Sequence, residues 1–230
     1  PEAPSRLVGM EQRGRTSSDF LSAVSPGIDS KLTLLPNPGP ESIAGLHPDL
    51  VLMKGSQPSP LGEALAKVGL PTVYLSLETP EEYTRDIANL GAILGNPKRA
   101  GEIISFYKDR VARVEKAVAG LRDEEKPSVL VAMGNIRSGK YAVRVPALAW
   151  MQTYQVRAAG GRPVWLEAAE QAGGWAVVNL EQIAAWNPDR LIIIVWYSTS
   201  APDFMSWLGT DPQWKKIGAV AGGKVSYFPS

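Results

Sequence analysis

The chain has 230 residues, 44% apolar and 20% charged, with 24 Lys and Arg against 23 Asp and Glu and a formal charge of +1. That length allows one large domain or two small lobes with a real core, and the charge balance gives no reason to expect nucleic acid or an anionic membrane as a partner. There is no Cys and one His, His47, which excludes disulfides, thiol nucleophiles, iron–sulfur clusters and His-cluster metal sites.

Apolar runs bounded by Gly, Pro, Asn or Asp predict strands at residues 6–10, 50–53, 72–75, 128–132, 191–196 and 224–228. Runs as continuous as LIIIVW suit strands covered on both faces, as in a parallel sheet. Helical patterns lie between them, so the chain reads as α/β. The longest apolar run, residues 191–197, is far shorter than the ~20 residues that span a bilayer. The chain opens at Pro1 without an apolar leader and closes on KVSYFPS, a strand and turn. Either a removed targeting segment or an excerpted chain is therefore expected at the start, and a continuation beyond Ser230 at the end.

Two central helices are well signalled. The first begins at Thr79 as N-cap, with Pro80 in the first turn and Glu82 completing a capping box. Its stripe is Tyr83, Ile87, Leu90 and Leu94, and Gly95 with Pro97 ends it. The second runs over residues 98–121, with Ile104, Tyr107, Val111, Val114, Val118 and Leu121 in one narrow seam. At 1.5 Å per residue it spans roughly 36 Å. Fewer than three full heptads argue against a coiled coil, and the expectation is a long, largely solvated strut.

A repeat flanks this helix. ESIAGLHPDLVL (41–52) aligns without gaps to EQIAAWNPDRLI (181–192). Both read as a short helix, a Pro-Asp stop and a buried strand. Each copy is followed by a Val-Tyr-apolar stretch, at residues 73–75 and, with Val225, at 226–228. One copy per half predicts two similar α/β lobes, too few units for a solenoid.

The stretches ESIAGLHPDLVLM, LAKVGLPTVYLS and EEYTRDIANLGAILGNPKRAGEII resemble the N-terminal lobe of the periplasmic binding proteins for iron chelates, haem and cobalamin. VNLEQIAAWNPDRLIII and DPQWKKIGAVAGGKVSYF resemble the C-terminal lobe. The resemblance covers residues 6–228. It implies two Rossmann-like lobes with mainly parallel sheets joined by a single long helix, here residues 1–96, 97–122 and 123–230. The ligand would sit in the cleft between the lobes. It also implies a substrate-binding component of an ABC importer, not an enzyme. Location would be extracytoplasmic, periplasmic or lipid-anchored, with a membrane permease as partner. A monomer without cofactor is expected. The family's first strand and helix and its C-terminal helix have no counterpart in the sequence.

No invariant ligating motif carries over, so binding residues are argued from position. Ligands of doubly wound lobes meet the loops at the carboxyl ends of strands. That selects Gln12, Arg13 and Arg15, then Lys54, then residues 76–78, and in the other half Arg137, Tyr141, Trp196 and Tyr197, with Trp175 joining from a Gly-rich loop. Guanidinium forks suit carboxylates, oxyanions and acidic chelates. Flat aromatics line pockets for bulky organic ligands. For Trp196 core packing is an equal reading, and Trp150, Trp165, Trp186, Trp207 and Trp214 read as packing residues. GNIRSGKY (134–141) nearly matches the phosphate loop GxxxxGK[ST]. However, Tyr141 replaces the metal-binding hydroxyl, and residues 143–146 read as extended where the motif needs a helix. The stretch fits better as a binding loop. His47 and its repeat counterpart Asn187 read as turn residues. By the resemblance, surface carboxylates dock the permease, and Glu63 and Glu167 are the candidates. An iron chelate, haem or corrinoid is the expected ligand. A molybdate or tungstate oxyanion is the alternative, and a chelatase-like metal-processing enzyme is the alternative from another class.

Overall fold

The computed structural model describes residues 4–12, 21–23, 25, 27–55, 59–137, 140–170, 172–195 and 201–227, with backbone alone at 4, 29, 135–137, 140–142, 195 and 201. The chain divides into two compact units. One is Pro1–Leu77 with Glu82–Ala100, the other Glu78–Glu81 with Gly101–Ser230.

In the first unit, β1 (Gly9–Glu11) pairs in parallel with β2 (Leu32–Leu34). After α1 (Pro40–Ala44), β3 (Val51–Lys54) pairs in parallel with β4 (Thr72–Leu75) across α2 (Pro60–Lys67). The sequence dictates α2 locally. Ser59 accepts from the Gly62 amide at 3.2 Å, Pro60 opens the first turn with Glu63 in it, Lys67 closes the last, and Leu65 is fully buried. Helix α3 (Pro80–Ile93) follows, and Gly95 at φ 68° ends it, as its position predicts. The expected strand at residues 6–10 is shorter than predicted. Arg6 lies in a 3₁₀ turn, its guanidinium donating to the Ile93 carbonyl at 3.4 Å.

Helix α4 (Pro97–Val118) is one continuous run of 22 residues. Ala100, in its first turn, is its buried residue, while Tyr107 and Val114 stay 49% and 45% exposed. The expected solvated character holds. The helix stops three residues early, where Leu121 turns back onto the Val118 carbonyl.

The second unit holds the larger core. Its strands are β5 (Ser128–Arg137), β6 (Lys140–Val145), β7 (Arg162–Pro163), β8 (Ala176–Val178), β9 (Arg190–Val195) and β10 (Val225–Tyr227). Their order is β10-β9-β5-β6-β8, with β7 pairing the start of β5. All pairings are parallel except those of β6, which runs antiparallel to β5 and β8. Helices α5 (Met151–Ala158), α6 (Leu166–Ala169), α7 (Leu180–Trp186), α8 (Ala201–Thr210) and α9 (Gly218–Ala221) connect them. The LIIIV run is the inner strand β9, and Leu191 and Ile193 are fully buried with Leu130, Ile183, Phe204 and Trp165. Gly134 is glycine for a packing reason. A Cβ there would lie 2.3 Å from the Phe204 ring.

The repeat is structural. Ile43 and Ile183 are both buried on short helices. His47 and Asn187 both take left-handed conformations, φ 49° and 39°, at the helix stops. In both copies the next strand pairs in parallel with the Val-Tyr strand, β3 with β4 and β9 with β10. Only the second copy has a full capping box. The Asn179 side chain accepts from the Gln182 amide at 2.8 Å, and Gln182 accepts from the Asn179 amide at 3.0 Å. The start of β5 is latched to β9 by Asp189, which accepts from the Ser128 hydroxyl and amide, both at 2.7 Å. These two bonds hold its carboxyl below the usual range.

Candidate functional site

In the first unit, Gln12 directly follows β1 and is exposed, its amide donating to the Leu34 carbonyl at 2.8 Å. Lys54 is the last residue of β3, and its ammonium donates to the Ser76 carbonyl. Arg13 and Arg15 lie outside the described residues, as do Trp196 and Tyr197.

The loop after β4 is held by a residue that sequence reasoning missed. Asp86 of α3 is fully buried, and one carboxylate oxygen accepts from the amides of Ser76 and Leu77 at 2.8 and 3.1 Å. Its other oxygen accepts from the Arg85 Nε at 2.7 Å. Burial alone would raise its pKa, but the bonds from Arg85, Leu77 and Ser76 outweigh burial and hold the carboxyl below its ordinary value. The Ser76 hydroxyl donates to Glu82 at 2.7 Å, and Leu77 adopts φ 58°. A left-handed leucine at a strand's carboxyl end is sustained by these fixed amides. The available signal was Asp86 three residues after Tyr83, on the apolar side of the helix.

In the second unit, the expected binding loop 134–141 is a β-hairpin. Gly134 pairs with Val143, Ile136 with Tyr141 and Arg137 with Lys140. Arg137 and Tyr141 therefore belong to strands, and the backbone places them at the hairpin end. Residues 138–139 lie outside the described residues. A loop expectation fails because β5 runs on through the polar GNIR stretch, whose backbone bonds are satisfied by the returning strand. The following chain is β6, so the stretch lacks the helix N-terminus on which phosphate loops depend.

Trp175 is half-buried immediately before β8, edge-to-face with Trp150 at 5.4 Å and 82°. Trp150 thus partners the predicted binding aromatic. Of the other packing tryptophans, Trp165 and Trp214 are buried, Trp165 donating to the Pro146 carbonyl at 2.9 Å, and Trp186 and Trp207 pack against the core. Near them the Met151 amide donates to the Glu78 carbonyl at 2.6 Å, and Tyr154 donates to Glu115 at 3.3 Å. Burial and then Glu115 raise the Tyr154 pKa, so its proton stays in place. Glu63 and Glu167 are exposed in the first turns of α2 and α6. Among the described residues no three His, Asp or Glu side chains are grouped to hold a metal ion. No described helix is long and apolar enough to cross a membrane.

The periplasmic binding protein family profile matches residues 27–230, and the chain belongs to that family. Solved structures agree in fold. The triscatecholate siderophore binding protein FeuA of Bacillus subtilis, complexed with ferri-bacillibactin, is 17% identical, with 97% of this chain and 78% of that one covered at a TM-score of 0.75. A periplasmic haem binding protein of Pseudomonas aeruginosa is 19% identical, with 95% and 82% covered at 0.71. The molybdate periplasmic binding protein MolA of a Haemophilus influenzae ABC transporter is 18% identical, with 98% and 69% covered at 0.72. A comparison with curated protein sequences returns no match. The expected fold class, α/β with mainly parallel sheets, is the one observed, and the family is one of extracytoplasmic solute receptors.

Proposed function

We propose that this chain is the substrate-binding component of an ABC importer and captures an iron chelate, haem or corrinoid reversibly, without covalent chemistry. The family match over residues 27–230 carries this reading. The cleft location is taken from the resemblance alone, with Gln12, Arg13, Arg15 and Lys54 contributed by one half and Arg137, Tyr141, Trp175, Trp196 and Tyr197 by the other. Exposed Glu63 and Glu167 dock the permease, and the receptor acts as a monomer outside the cytoplasm, free or lipid-anchored. Molybdate or tungstate is the second reading, because MolA shares the fold at a TM-score of 0.72. For an oxyanion the arginines and backbone amides suffice, and the aromatics pack. A chelatase-like enzyme is disfavoured by the lack of Cys and of any His besides His47.

The test is a thermal-shift panel of ferric siderophores, haem, cobalamin, molybdate and tungstate. A ligand that binds only the folded state raises its stability, by about 2.7 kcal/mol at a hundredfold excess over Kd. Arg13→Ala, Arg15→Ala and Arg137→Ala are then expected to weaken the best ligand about ten- to a hundredfold, as for loss of one charge-assisted contact. If no panel member shifts the melting temperature, the receptor reading fails. If all three variants bind like the parent, these arginines are not the site.

A further inference from the structure

A pocket of about 390 Å³ opens on the second unit, lined by Asp123, Lys126, Arg157, Arg162, Pro163 and Leu166. It lies at the amino end of the sheet. Lys126 stands two residues before β5, and Arg162 pairs with Ser128, the first residue of that strand. Cargo in doubly wound lobes meets the carboxyl ends of strands, so this pocket is at the other end of β5 from Arg137. A volume of roughly 300–1,000 Å³ is the range of small-molecule sites.

The charges in it do not balance. Three cations face one carboxylate, an excess of two positive charges. Asp189 also feels Arg162, but Lys224 acts on it as well, so the balance stays. Arg162 is set in place from its backbone side. Its amide donates to the Pro127 carbonyl at 2.8 Å and its Nε to the Lys126 carbonyl at 3.2 Å. Its terminal amino groups make no hydrogen bond among the described residues, so a fixed fork is left for an acceptor. Arg157, exposed on α5, has no ion-pair partner among the described residues. Lys126 donates to Asp123 at 2.7 Å, but the Asp123 side chain is 89% exposed against 32% for Lys126. An exposed carboxylate of that kind contributes little and yields readily to a better anion. Half-buried Pro163 and Leu166 add an apolar wall for which a bare ion has no use.

We propose that this pocket is a second binding site, for a phosphate monoester, separate from the cargo site. Arg157, Arg162 and Lys126 hold the phosphate oxygens, Asp123 gives way, and the carbon part of the ester packs on Pro163 and Leu166. A monoester carries about −1.5 to −2 charges at pH 7, which matches the excess of two, whereas a diester carries a single charge. Soluble organic phosphates and the headgroup of phosphatidic acid share this chemistry. The site stands on its own residues and does not depend on the solute-receptor reading.

The test is calorimetric titration of the full chain with glycerol 3-phosphate, and co-sedimentation with phosphatidylcholine vesicles with and without phosphatidic acid. Both are run on the parent, Arg157→Gln and Asp123→Asn, whose changes lie on exposed side chains. Saturable binding by the parent is expected, weakened about tenfold in Arg157→Gln, as for loss of one exposed charge-assisted contact. In Asp123→Asn it should be several-fold tighter, because the competing carboxylate is gone. Binding should also strengthen as pH rises through about 6, where the ester gains its second charge. Lysine and arginine do not titrate there, and Asp123, held below its ordinary range by the bond from Lys126, is already ionised. Sedimentation that depends on phosphatidic acid and falls in Arg157→Gln assigns a lipid source, and binding of the soluble ester alone assigns a solute. A parent that binds neither probe overturns the site. So does binding that is unchanged in Arg157→Gln or not strengthened in Asp123→Asn, since the phosphate then sits elsewhere on the chain; in each case the cargo reading is untouched.

Discussion

Removing the Asp86 carboxylate should unfold the first unit selectively. In Asp86→Ala the amides of Ser76 and Leu77, bonded at 2.8 and 3.1 Å, lose a fully buried acceptor. The buried Ser76 donor left unsatisfied costs roughly 1–3 kcal/mol, and the part-buried Leu77 amide adds less, so the two together cost about 2–4 kcal/mol. Arg85 adds little, because its side chain is 54% exposed and returns to water. With a urea dependence of about 1–3 kcal/mol per molar, the midpoint should fall by about 1 M or more. The two units can be watched separately, since all seven Trp lie beyond residue 149, in the second unit. Far-ultraviolet circular dichroism should show an early transition that tryptophan fluorescence does not. The pH dependence has a definite sign. The folded pKa of Asp86 lies below its unfolded value, so its stabilisation is complete above the unfolded pKa, about 4. It is lost as pH falls below that toward the folded value. Asp86→Asn should remove this share of the acid destabilisation that sets in below about pH 4. Coincident transitions in parent and Asp86→Ala, by both probes, would refute the latch.

Val111→Pro in the interior of α4 removes a hydrogen bond and clashes with the preceding turn, costing ~3 kcal/mol or more; a parent-like melt would show that the helix is not needed intact. Gly134→Val drives a side chain into the Phe204 ring, where even a Cβ would lie at 2.3 Å. It should cost about 1–3 kcal/mol, read by tryptophan fluorescence because Phe204 contacts Trp207 at 5.4 Å. The two helix stops should respond differently. His47→Gly relieves a left-handed backbone at φ 49° and should be neutral or stabilising by up to about 1 kcal/mol. Asn187→Gly also loses the side-chain acceptor of the Gly218 amide at 2.8 Å and should be destabilising by about 1 kcal/mol in a thermal melt.

The elements that could be read from sequence are those whose signal is local. The LIIIV run had to be an inner strand, because a run with no polar face can only be covered on both sides. The TPEE start and the Gly95 stop mark helix ends locally, and the helix runs from Pro80 to Ile93 with Gly95 at φ 68°. The 41–52 and 181–192 repeat carried its two helix stops, at His47 and Asn187, since turn chemistry is a property of neighbouring residues. What tertiary structure decided depends on partners distant in the chain. GNIRSGKY looked like a loop because it is polar, and it is a strand because β6 folds back to satisfy its amides. Short strands such as Leu32–Leu34 and Ala176–Val178 owe their existence to a neighbouring strand rather than to their own residues. Asp86 reads as an ordinary helix acid until two loop amides are found to end on it. Arg144 reads as a surface charge, yet in the fold its Nε is buried without an acceptor among the described residues. A residue's type fixes what it can bond to, but only the fold decides which partners come within reach and which stay unfilled.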